Sequence, residues 1–512
     1  MNLASLQPEQ TRWKLFASVN AVVFALLGVG VATHPDNMLT LGVYVQVLLL
    51  LCTLPLCWAA SLRGPLALLV LMQAMLFVHF GLRDLIGLVF GTPLAPRPEG
   101  LFSPGELGAL LSSICVLLGY AFVGALSPGR QARTLAQEWS SRATFWLGTF
   151  CWLLGFVITA YHLFSVADLQ TGEVYTNPFA GVVALLRFLQ PIGSALLVYL
   201  LVARGQRSVL PLLLVTFACD VLLGYLGDSK ETAFRGMFLL LIGYVLLRDR
   251  VPVLRGLLLI LLVGASFSYF AAYRDLLSGS QTTRVAAAER FGSIIGGIAS
   301  EKSFAQRAVA GLDYFTERSS LKGNLELIIA QSGRSVPFQD GRTLVGVLYT
   351  FMPRYLFPDK PDTSTGRLFN AAFSVSDVST TYISQGINGE LYWNFGWTGL
   401  IVGMLLLGGL LAHANYLLDL SRRSNAPRYL FLIVTAYLLC VRFEGNVSGE
   451  YTYWLRALLL LWLVHKFMPK QLRSSADAAS ALPDAPAADS AGSAQSTRRP
   501  NFVALSHARV SQ

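Results

Sequence analysis

The sequence predicts an all-α polytopic membrane protein with about 12 transmembrane helices and one large loop on the outer side of the membrane. Two observations indicate this class. Of the 512 residues, 54% are hydrophobic and only 13% are charged. An α-helix needs about 20 apolar residues to cross a hydrocarbon layer of ~30 Å, and runs of about that length recur along most of the chain.

The apolar runs lie on both sides of one long interval that is more polar. Nine precede it, near residues 14–33, 40–60, 64–81, 104–126, 143–164, 180–203, 209–227, 233–248 and 252–273. Three follow it, near residues 393–416, 427–443 and 450–468. The chain is therefore predicted to consist of an N-terminal transmembrane bundle (1–273), a large loop (274–392), C-terminal transmembrane helices (393–468) and a tail (469–512).

The charges of the short loops predict the orientation of these helices. SLRG, ARGQRS and RDRVPVLR are basic, whereas THPDNM and SVADLQTGEVYTNP contain no Lys or Arg. Because basic loops stay in the cytoplasm, both termini are predicted to be cytoplasmic and the large loop to lie outside. The net charge of +10 is then explained by helix orientation, which argues against a nucleic-acid partner.

The tail and the cysteines add little chemistry. The tail is rich in Ala, Ser, Asp and Pro, so it is predicted to be disordered. All six cysteines fall inside apolar runs, where we interpret them as small core residues. The first apolar run lacks a small-residue cleavage pattern and is interpreted as a retained helix.

The large loop has about 120 residues, far more than a helix connection needs, and loops of that length are usually functional. RVAAAERFGSIIGGIA and FAQRAVAGLDYF carry apolar residues at helical spacing. They predict short amphipathic helices that lie at the membrane interface or, alternatively, pack on each other as a small cap.

Common soluble-enzyme motifs are missing from the sequence. It contains no P-loop, dinucleotide-binding glycine motif, paired CxxC or HExxH. These absences argue against ATP hydrolysis and zinc proteolysis and direct attention to charges at the outer face.

The first charged segment is GYLGDSKETAFRG, residues 224–236, a turn between two spans. Basic residues on the outer side oppose the usual charge bias. Lys230 is either a functional cation or a snorkelling side chain neutralised by Asp228 and Glu231. Arg235 is predicted to begin a helix, where a cation is disfavoured and an anionic partner would be needed.

The second is PRYLFPDKPDTSTGRLFN, residues 353–370, with Arg354, Lys360 and Arg367. Its three prolines remove backbone donors, so the segment is predicted to be extended. Three cations on a rigid strip suit a diphosphate or another polyanion, and anionic lipid headgroups are the alternative.

The third is CVRFEGNVSGEYTYW, residues 440–454, which contains Arg442, Glu444 and Glu450. Charges this close to hydrocarbon are costly unless they are paired or face water. Arg442 is therefore a candidate ligand for an anion or simply the partner of Glu444.

Other polar residues within or near the spans favour structural roles. Arg187 and Asp220 are predicted to form an intramembrane pair. His34, His79 and His162 lie at outer helix ends, but nothing in their spacing supports a metal site.

The order of these features resembles the bacterial oligosaccharide repeat-unit polymerases of O-antigen and related surface polysaccharides. The most specific segments are PRYLFPDKP and the glycine-rich NGELYWNFGWTG, which enters a span. The resemblance covers the architecture broadly and residues 224–410 in local motif.

The resemblance implies a GT-C-like glycosyltransferase of the inner membrane that uses undecaprenyl-diphosphate-linked glycans in the periplasm, without a nucleotide sugar or another cofactor. A chain-length regulator and a flippase are implied partners. The candidate diphosphate ligands are Lys230, Arg235, Arg354, Lys360, Arg367 and Arg442. The acceptor hydroxyl needs a base, for which Glu390 in NGELYW is the first candidate and Glu444 the second. Glu390 could equally anchor a helix.

Two other functions fit part of the pattern. An O-antigen ligase uses the same donor, but such ligases usually carry a histidine in the large outer loop, and residues 274–392 contain none. A transporter or flippase of lipid-linked glycans would be expected to show paired halves and charges buried in mid-span, and the sequence shows neither clearly.

Overall fold

The structure is a computed structural model of the chain. It describes residues 8–33, 38–58, 66–90, 102–126, 137–165, 180–226, 230–248, 266–267, 304–352, 356–357, 365–376, 382–418 and 426–472. Residues Met1–Gln471 form one compact unit, and Leu472–Gln512 form a second of which only Leu472 is described.

Most described residues are helical. Among the described residues, ten helices precede the large loop: α1 Pro8–Thr33, α2 Met38–Trp58, α3 Ala67–Phe80, α4 Leu82–Phe90, α5 Pro104–Leu126, α6 Ser141–Ser165, α7 Ala180–Arg187, α8 Leu189–Val202, α9 Leu210–Leu226 and α10 Lys230–Arg248. A 3-10 turn, Arg207–Val209, leads into α9.

The large loop and the C-terminal part contribute six more described helices: α11 Phe304–Ser319, α12 Lys322–Gln331, α13 Gly366–Phe373, α14 Gly386–Leu418, α15 Ala426–Thr435 and α16 Val447–Phe467. A 3-10 turn spans Val345–Val347, and a π-helix, Ala436–Val441, continues α15. Two three-residue strands, β1 Gln137–Trp139 and β2 Lys470–Leu472, pair with each other.

The helices confirm the predicted class in its coarser form. Among the described residues, six helices are long and apolar enough to cross a membrane, or seven if α3 and α4, bent by 52°, form one span. Two predicted runs contain shorter apolar helices, Phe16–Gly28 and Ala426–Val441. The predicted run at 252–273 lies outside the described residues, apart from 266–267.

Helices α5 and α14 approach each other closely at two glycines. A Cβ atom on Gly119 would lie 2.0 Å from the backbone oxygen of Leu405, and one on Gly408 would lie 2.3 Å from that of Val116. Small residues permit this close approach of the two backbones. In apolar surroundings the hydrophobic effect does not favour helix association, so van der Waals packing between the helices stabilises the contact.

Polar side chains connect the buried helices. Gln73 of α3 donates from Nε2 to the backbone oxygen of Ser113 (3.0 Å), and the Ser113 hydroxyl donates to Gln73 Oε1 (2.6 Å). Asn415 of α14 donates to the Tyr120 hydroxyl oxygen of α5 (2.7 Å). The side chains of Gln73, Ser113, Asn415 and Tyr120 thus have hydrogen-bond partners, which avoids the cost of unsatisfied polar atoms.

Helix α14 is broken inside the NGELYWNFGWTG segment. Phe395 and Gly396 depart from helical geometry, and Gly396 has φ +61°, a conformation that favours glycine. All residues from Gly386 to Asn394 are buried, including three polar side chains, Asn388, Glu390 and Asn394. The first part of α14 is therefore a buried polar helix that precedes the apolar span.

The large loop packs on the helical bundle through α12. Lys322 Nζ lies 2.7 Å from Asp84 Oδ2 of α4 and 3.5 Å from Glu106 Oε1 of α5. Glu106 also completes a capping box with Ser103, whose backbone nitrogen donates to Glu106 Oε2 (3.0 Å). Leu325 is buried against α5, so α12 covers the ends of α4 and α5.

Helix α11 confirms that FAQRAVAGLDYF is helical. The ring of Phe315 packs edge-on against Phe267, which stacks on Phe234 of α10. The described helices of the loop, α11 and α12, therefore both contact the helical bundle. The segment RVAAAERFGSIIGGIA lies outside the described residues.

Candidate functional site

Six charged side chains lie together where α7, α9, α10, α16 and the turn before α16 approach one another. We call this group the charged cluster; its members are Arg187, Asp220, Glu231, Arg235, Arg442 and Glu450. It combines the first and third charged segments of the sequence. Arg235, Asp220 and Glu450 are buried, whereas Arg442 and Glu231 are partly exposed.

Arg442 bridges two carboxylates that come from distant parts of the chain. Its Nε lies 3.5 Å from Glu231 Oε2, and its Nη2 lies 3.2 Å from Glu450 Oε1. The guanidinium carbon is 5.5 Å from the centre of the Tyr453 ring. The planar guanidinium group can make both ionic contacts at once, which a lysine ammonium group cannot do with the same geometry.

The π-helix after α15 positions two members of this network. The backbone nitrogen of Arg442 donates to the carbonyl of Tyr437, five residues back, at 3.0 Å. Tyr437 in turn donates its hydroxyl hydrogen to Glu231 Oε1. Single π-helical turns are frequent at functional sites because they redirect side chains relative to the α-helix.

Arg235 and Asp220 form a second, looser ion pair. Arg235 Nη2 lies 4.0 Å from Asp220 Oδ1, which also accepts a hydrogen bond from Gln190 Nε2. Thr159 of α6 orients Gln190 by donating to its Oε1 (3.1 Å). Within the described residues, Arg235 Nε and Nη2 and Asp220 Oδ2 are buried without a hydrogen-bond partner. These atoms could accommodate a ligand.

The charges of the cluster influence one another. Burial raises the pKa of the Glu231 carboxyl, but Arg442 and the Tyr437 hydroxyl outweigh burial, so the pKa falls below its usual value. Burial lowers the pKa of Arg442, but Glu231 and Glu450 raise it well above its usual value. Glu231 and Arg442 are therefore both charged at neutral pH. Arg187 is half-buried and lies within electrostatic range of Arg235 and Arg442.

Two predicted ion pairs are wrong in their partners. Arg442 pairs with Glu231 and Glu450 rather than with Glu444. Asp220 contacts Arg235 and Gln190 rather than Arg187. In both cases the partner comes from a segment that is distant in sequence, and helix packing brings the two together.

The helix that carries Arg235 also begins earlier than predicted. Helix α10 starts at Lys230, so Arg235 lies in its second turn rather than at its start. The prediction that Arg235 begins a helix is therefore wrong, and its ion-pair partner among the described residues is Asp220. Lys230 is the first residue of α10, and its side chain lies outside the described residues.

The second charged segment is described only in part. Arg354 and Lys360 lie outside the described residues, and Arg367 is exposed on α13. The prediction of an extended conformation is wrong for residues 366–370, which are helical. The last proline of the segment precedes this helix, and Phe369 and Phe373 pack on Trp393.

The chain just before this segment contacts α16 near the charged cluster. The hydroxyl oxygens of Thr350 and Thr452 are 3.3 Å apart. Arg456 donates from Nε (2.8 Å) and Nη2 (2.6 Å) to the backbone oxygen of Thr350. The proline-rich segment therefore begins at Pro353, three residues after Thr350, which contacts α16.

Glu390 lies at the start of α16, away from the arginine contacts. Its Oε2 accepts a hydrogen bond from the backbone nitrogen of Val447, the first residue of that helix. Nearby, Asn394 donates to the Thr343 hydroxyl oxygen (2.7 Å), and Ser448 donates to the Thr343 carbonyl. A carboxylate at a helix N-terminus satisfies an amide that has no partner inside the helix, so this geometry favours an anchoring role.

Glu444 lies half-buried in the turn before α16. Its backbone oxygen accepts a hydrogen bond from Gly386 (3.2 Å), which connects this turn to the start of α14. The structure therefore brings both predicted general bases to the same region, at the junction of α14 and α16.

Histidines contribute packing contacts in the described part of the chain. His79 is buried and its Nδ1 lies 2.7 Å from the backbone oxygen of Ser319. His162 lies on α6, and His34 is outside the described residues. In the ranges that the structure describes, no group of three or more His, Cys, Asp or Glu side chains could hold a metal ion.

From the sequence, Glu231 and Glu450 were identified only as neighbours of the candidate cations, and two further residues of the site were not identified. Tyr437 contacts Glu231, and Gln190 contacts Asp220. A polar residue inside an apolar run, such as Gln190, is the signal that could have identified that side of the site.

The fold and site define a predominantly α-helical protein with several helices able to span a membrane and a charged cluster formed by residues near their ends. No protein-family model, curated protein or solved structure matches the chain.

Proposed function

We propose that the protein is a polymerase that joins undecaprenyl-diphosphate-linked oligosaccharide repeat units into a surface polysaccharide. It would be a GT-C-like enzyme of the bacterial inner membrane with about 12 spans, cytoplasmic termini and a periplasmic active site. The observation that supports this most is the convergence of Arg235 and Arg442, from two segments that the predicted topology assigns to the outer side.

The proposed chemistry requires stabilisation of a departing diphosphate. When the glycan is transferred, negative charge develops on the leaving diphosphate oxygen, and fixed cations stabilise it. Arg442 is already shared between two carboxylates, whereas Arg235 retains buried N–H groups without hydrogen-bond partners among the described residues. Arg235 is therefore the leading candidate for contact with the diphosphate.

The remaining cations take supporting roles in this proposal. Arg367 is exposed on α13 and could meet the lipid-linked substrate as it approaches. Arg354 and Lys360 belong to the same proline-rich segment, which follows the contact between Thr350 and Thr452. Arginine is suited to this role because it can bind phosphate oxygens in a bidentate manner.

One observation favours a second candidate function, transport of lipid-linked glycans. The break in α14 at Phe395 and Gly396 follows a buried polar helix, and discontinuous helices form the binding sites of many transporters. The charged side chains near this break are nevertheless engaged at helix ends, which agrees better with a site at the membrane surface.

A deletion strain distinguishes these functions when its surface polysaccharide is separated on a gel. Loss of a polymerase leaves single repeat units on the acceptor. Loss of a ligase or flippase leaves the acceptor bare, and in the flippase case lipid-linked units accumulate on the cytoplasmic side. Polysaccharide of normal length in the deletion strain would contradict the proposal.

Complementation then tests the site. Arg235→Ala should fail to restore long chains, and we expect the same of Arg354→Ala and Arg367→Ala. Arg248→Ala is the matched control, since Arg248 is exposed at the other end of α10. Immunoblots of membrane fractions would verify that all variants are inserted at wild-type abundance.

A further inference from the structure

The two carboxylate oxygens of Glu450 differ, because one contacts an arginine and the other has no hydrogen-bond partner among the described residues. Its Oε1 lies 3.2 Å from Arg442 Nη2. Its Oε2 is buried and has no hydrogen-bond partner among the residues that the structure describes. The side chain is only 4% exposed. A buried acceptor without a donor is costly, and such an atom fits a ligand that brings its own donor.

The other carboxylates of the region are engaged differently. Glu231 uses both oxygens, one with the Tyr437 hydroxyl and one with Arg442. Glu390 uses Oε2 on the first amide of α16, and its Oε1 is buried without a hydrogen-bond partner among the described residues. Its fixed oxygen is thus bound to a helix backbone and not to a cation of the charged cluster. Asp220 Oδ2 also has no hydrogen-bond partner among the described residues. Asp220 lies within the candidate span Arg207–Leu226, however, and its Oδ1 accepts a hydrogen bond from Gln190. Among the described residues, Glu450 is thus the carboxylate of the charged cluster outside the candidate spans that combines an oxygen held by Arg442 with a second oxygen lacking a hydrogen-bond partner.

The surroundings of Glu450 hold its side chain in place. A Cβ atom on Gly445 would lie 2.4 Å from Glu450 Oε1, so a larger residue at position 445 would require the Glu450 carboxylate to shift from the place it occupies. The charged or titratable groups that face Glu450 are Arg442 and Glu444 from the turn, Glu231 from α10, and Tyr453 from its own helix. Two residues further along α16, Thr452 contacts Thr350 at the entrance to the proline-rich segment.

We propose that Glu450 is the general base of the transfer reaction and accepts the proton of the acceptor hydroxyl group through Oε2. This inference rests on the proposed polymerase function. The acceptor O–H bond breaks as its oxygen bonds to the anomeric carbon of the donor, and the proton passes to Glu450. The bond between that carbon and the diphosphate oxygen breaks, and its electron pair leaves with the diphosphate. Glu450 then releases the proton to water.

Arg442 has a positioning role in this mechanism. Its two ionic contacts hold Glu450 and Glu231 in a fixed arrangement, and Tyr437 extends that arrangement to α15. A base must lie within hydrogen-bond reach of the proton it removes, so an oriented carboxylate is more effective than a mobile one.

The test uses the purified full-length protein in detergent, with lipid-linked repeat units extracted from the deletion strain as substrate. Glu450→Gln should lower kcat by about 100-fold or more, the usual contribution of a general base, while KM changes little. Glutamine keeps an oxygen for Arg442 but cannot accept the proton. Glu317→Gln, an exposed position on α11, is the control and should retain wild-type kcat.

The outcomes separate this inference from the proposed function. Wild-type protein that extends chains together with a Glu450→Gln variant of equal kcat would refute the role of Glu450 and leave the polymerase function intact. Wild-type protein that does not extend chains would overturn both.

A second measurement applies if Glu450→Gln does not fold. The wild-type kcat should decrease as the pH is lowered, because a protonated carboxyl group cannot accept the proton. A kcat that is constant from about pH 5 to 8 would overturn the inference, and Glu450→Asp, which keeps a carboxylate, should retain part of the activity and the same pH dependence.

Discussion

Arg442 and Glu231 form an ion pair, 3.5 Å from Nε to Oε2, although they belong to different charged segments of the chain. Glu231 lies in the first turn of α10, and Arg442 follows the π-helix that continues α15. The second contact of Arg442, with Glu450, adds α16 to the same junction. The pair therefore connects three helices near one end of the bundle.

Replacing Arg442 should destabilise this junction. Arg442→Ala removes the cation shared by Glu231 and Glu450, and loss of the partner of a buried carboxylate such as Glu450 costs about 3 kcal/mol. Arg442→Lys should cost less, since it keeps the charge but not the two-pronged geometry. Thermal unfolding in detergent measures both effects. Arg248→Ala is the control, and an Arg442→Ala variant as stable as that control would contradict the prediction.

Replacing Lys322 should loosen the attachment of the large loop. Lys322→Met removes the cation that contacts the carboxylates of Asp84 and Glu106, both of which are buried. We expect a loss of about 3 kcal/mol at this contact and faster hydrogen exchange of the α12 amides. Arg342→Ala, at an exposed position in the same loop, should leave exchange unchanged. Equal exchange rates in α12 of both variants would show that Lys322 does not hold the loop.

The contact between α5 and α14 can be tested with two alanine substitutions in one helix. Gly119→Ala forces a methyl group against the backbone oxygen of Leu405, and overpacking of this kind costs about 1 to 3 kcal/mol. Gly124→Ala adds the same group where nothing lies within 4 Å, so it controls for the change in helix propensity. The midpoint of thermal unfolding should fall only for Gly119→Ala. A similar midpoint for both variants would show that protein stability does not depend on the close contact between α5 and α14.

The role of Glu390 can be separated into anchoring and catalysis. Glu390→Ala removes the acceptor for the Val447 amide and should cost about 1 kcal/mol, as loss of a helix cap does. Glu390→Gln keeps an acceptor oxygen and should restore most of that stability. Unfolding midpoints and polymer length measured on the same samples test the assignment. A stable Glu390→Gln protein without activity would instead support the catalytic role that the sequence predicted.

The long apolar helices were predictable because their signal is local. The run predicted at 104–126 coincides with α5, Pro104–Leu126. Length and hydropathy suffice here, since the cost of placing each side chain in hydrocarbon depends mainly on that side chain. By contrast, α14 was predicted from residue 393 but begins at Gly386, because its first residues form a buried polar helix with no apolar run to reveal it.

Helix α12 was not predicted, and its stability has a nonlocal origin. Its polar first turn carries Lys322, whose partners Asp84 and Glu106 lie far away in the sequence. A helix this short is marginal by itself in water, so packing against α5 is what stabilises it.

The candidate site was likewise predictable from the sequence only in part. The sequence was sufficient to predict a helical membrane protein and to select Arg235 and Arg442 as cations that need an anionic partner, because the cost of a charge near hydrocarbon is a property of the residue and its position. The choice of partner depended on folding. Glu231 and Glu450 meet at Arg442 only because helix packing brings three distant segments within the few ångströms over which ion pairs form, and no local pattern specifies that encounter.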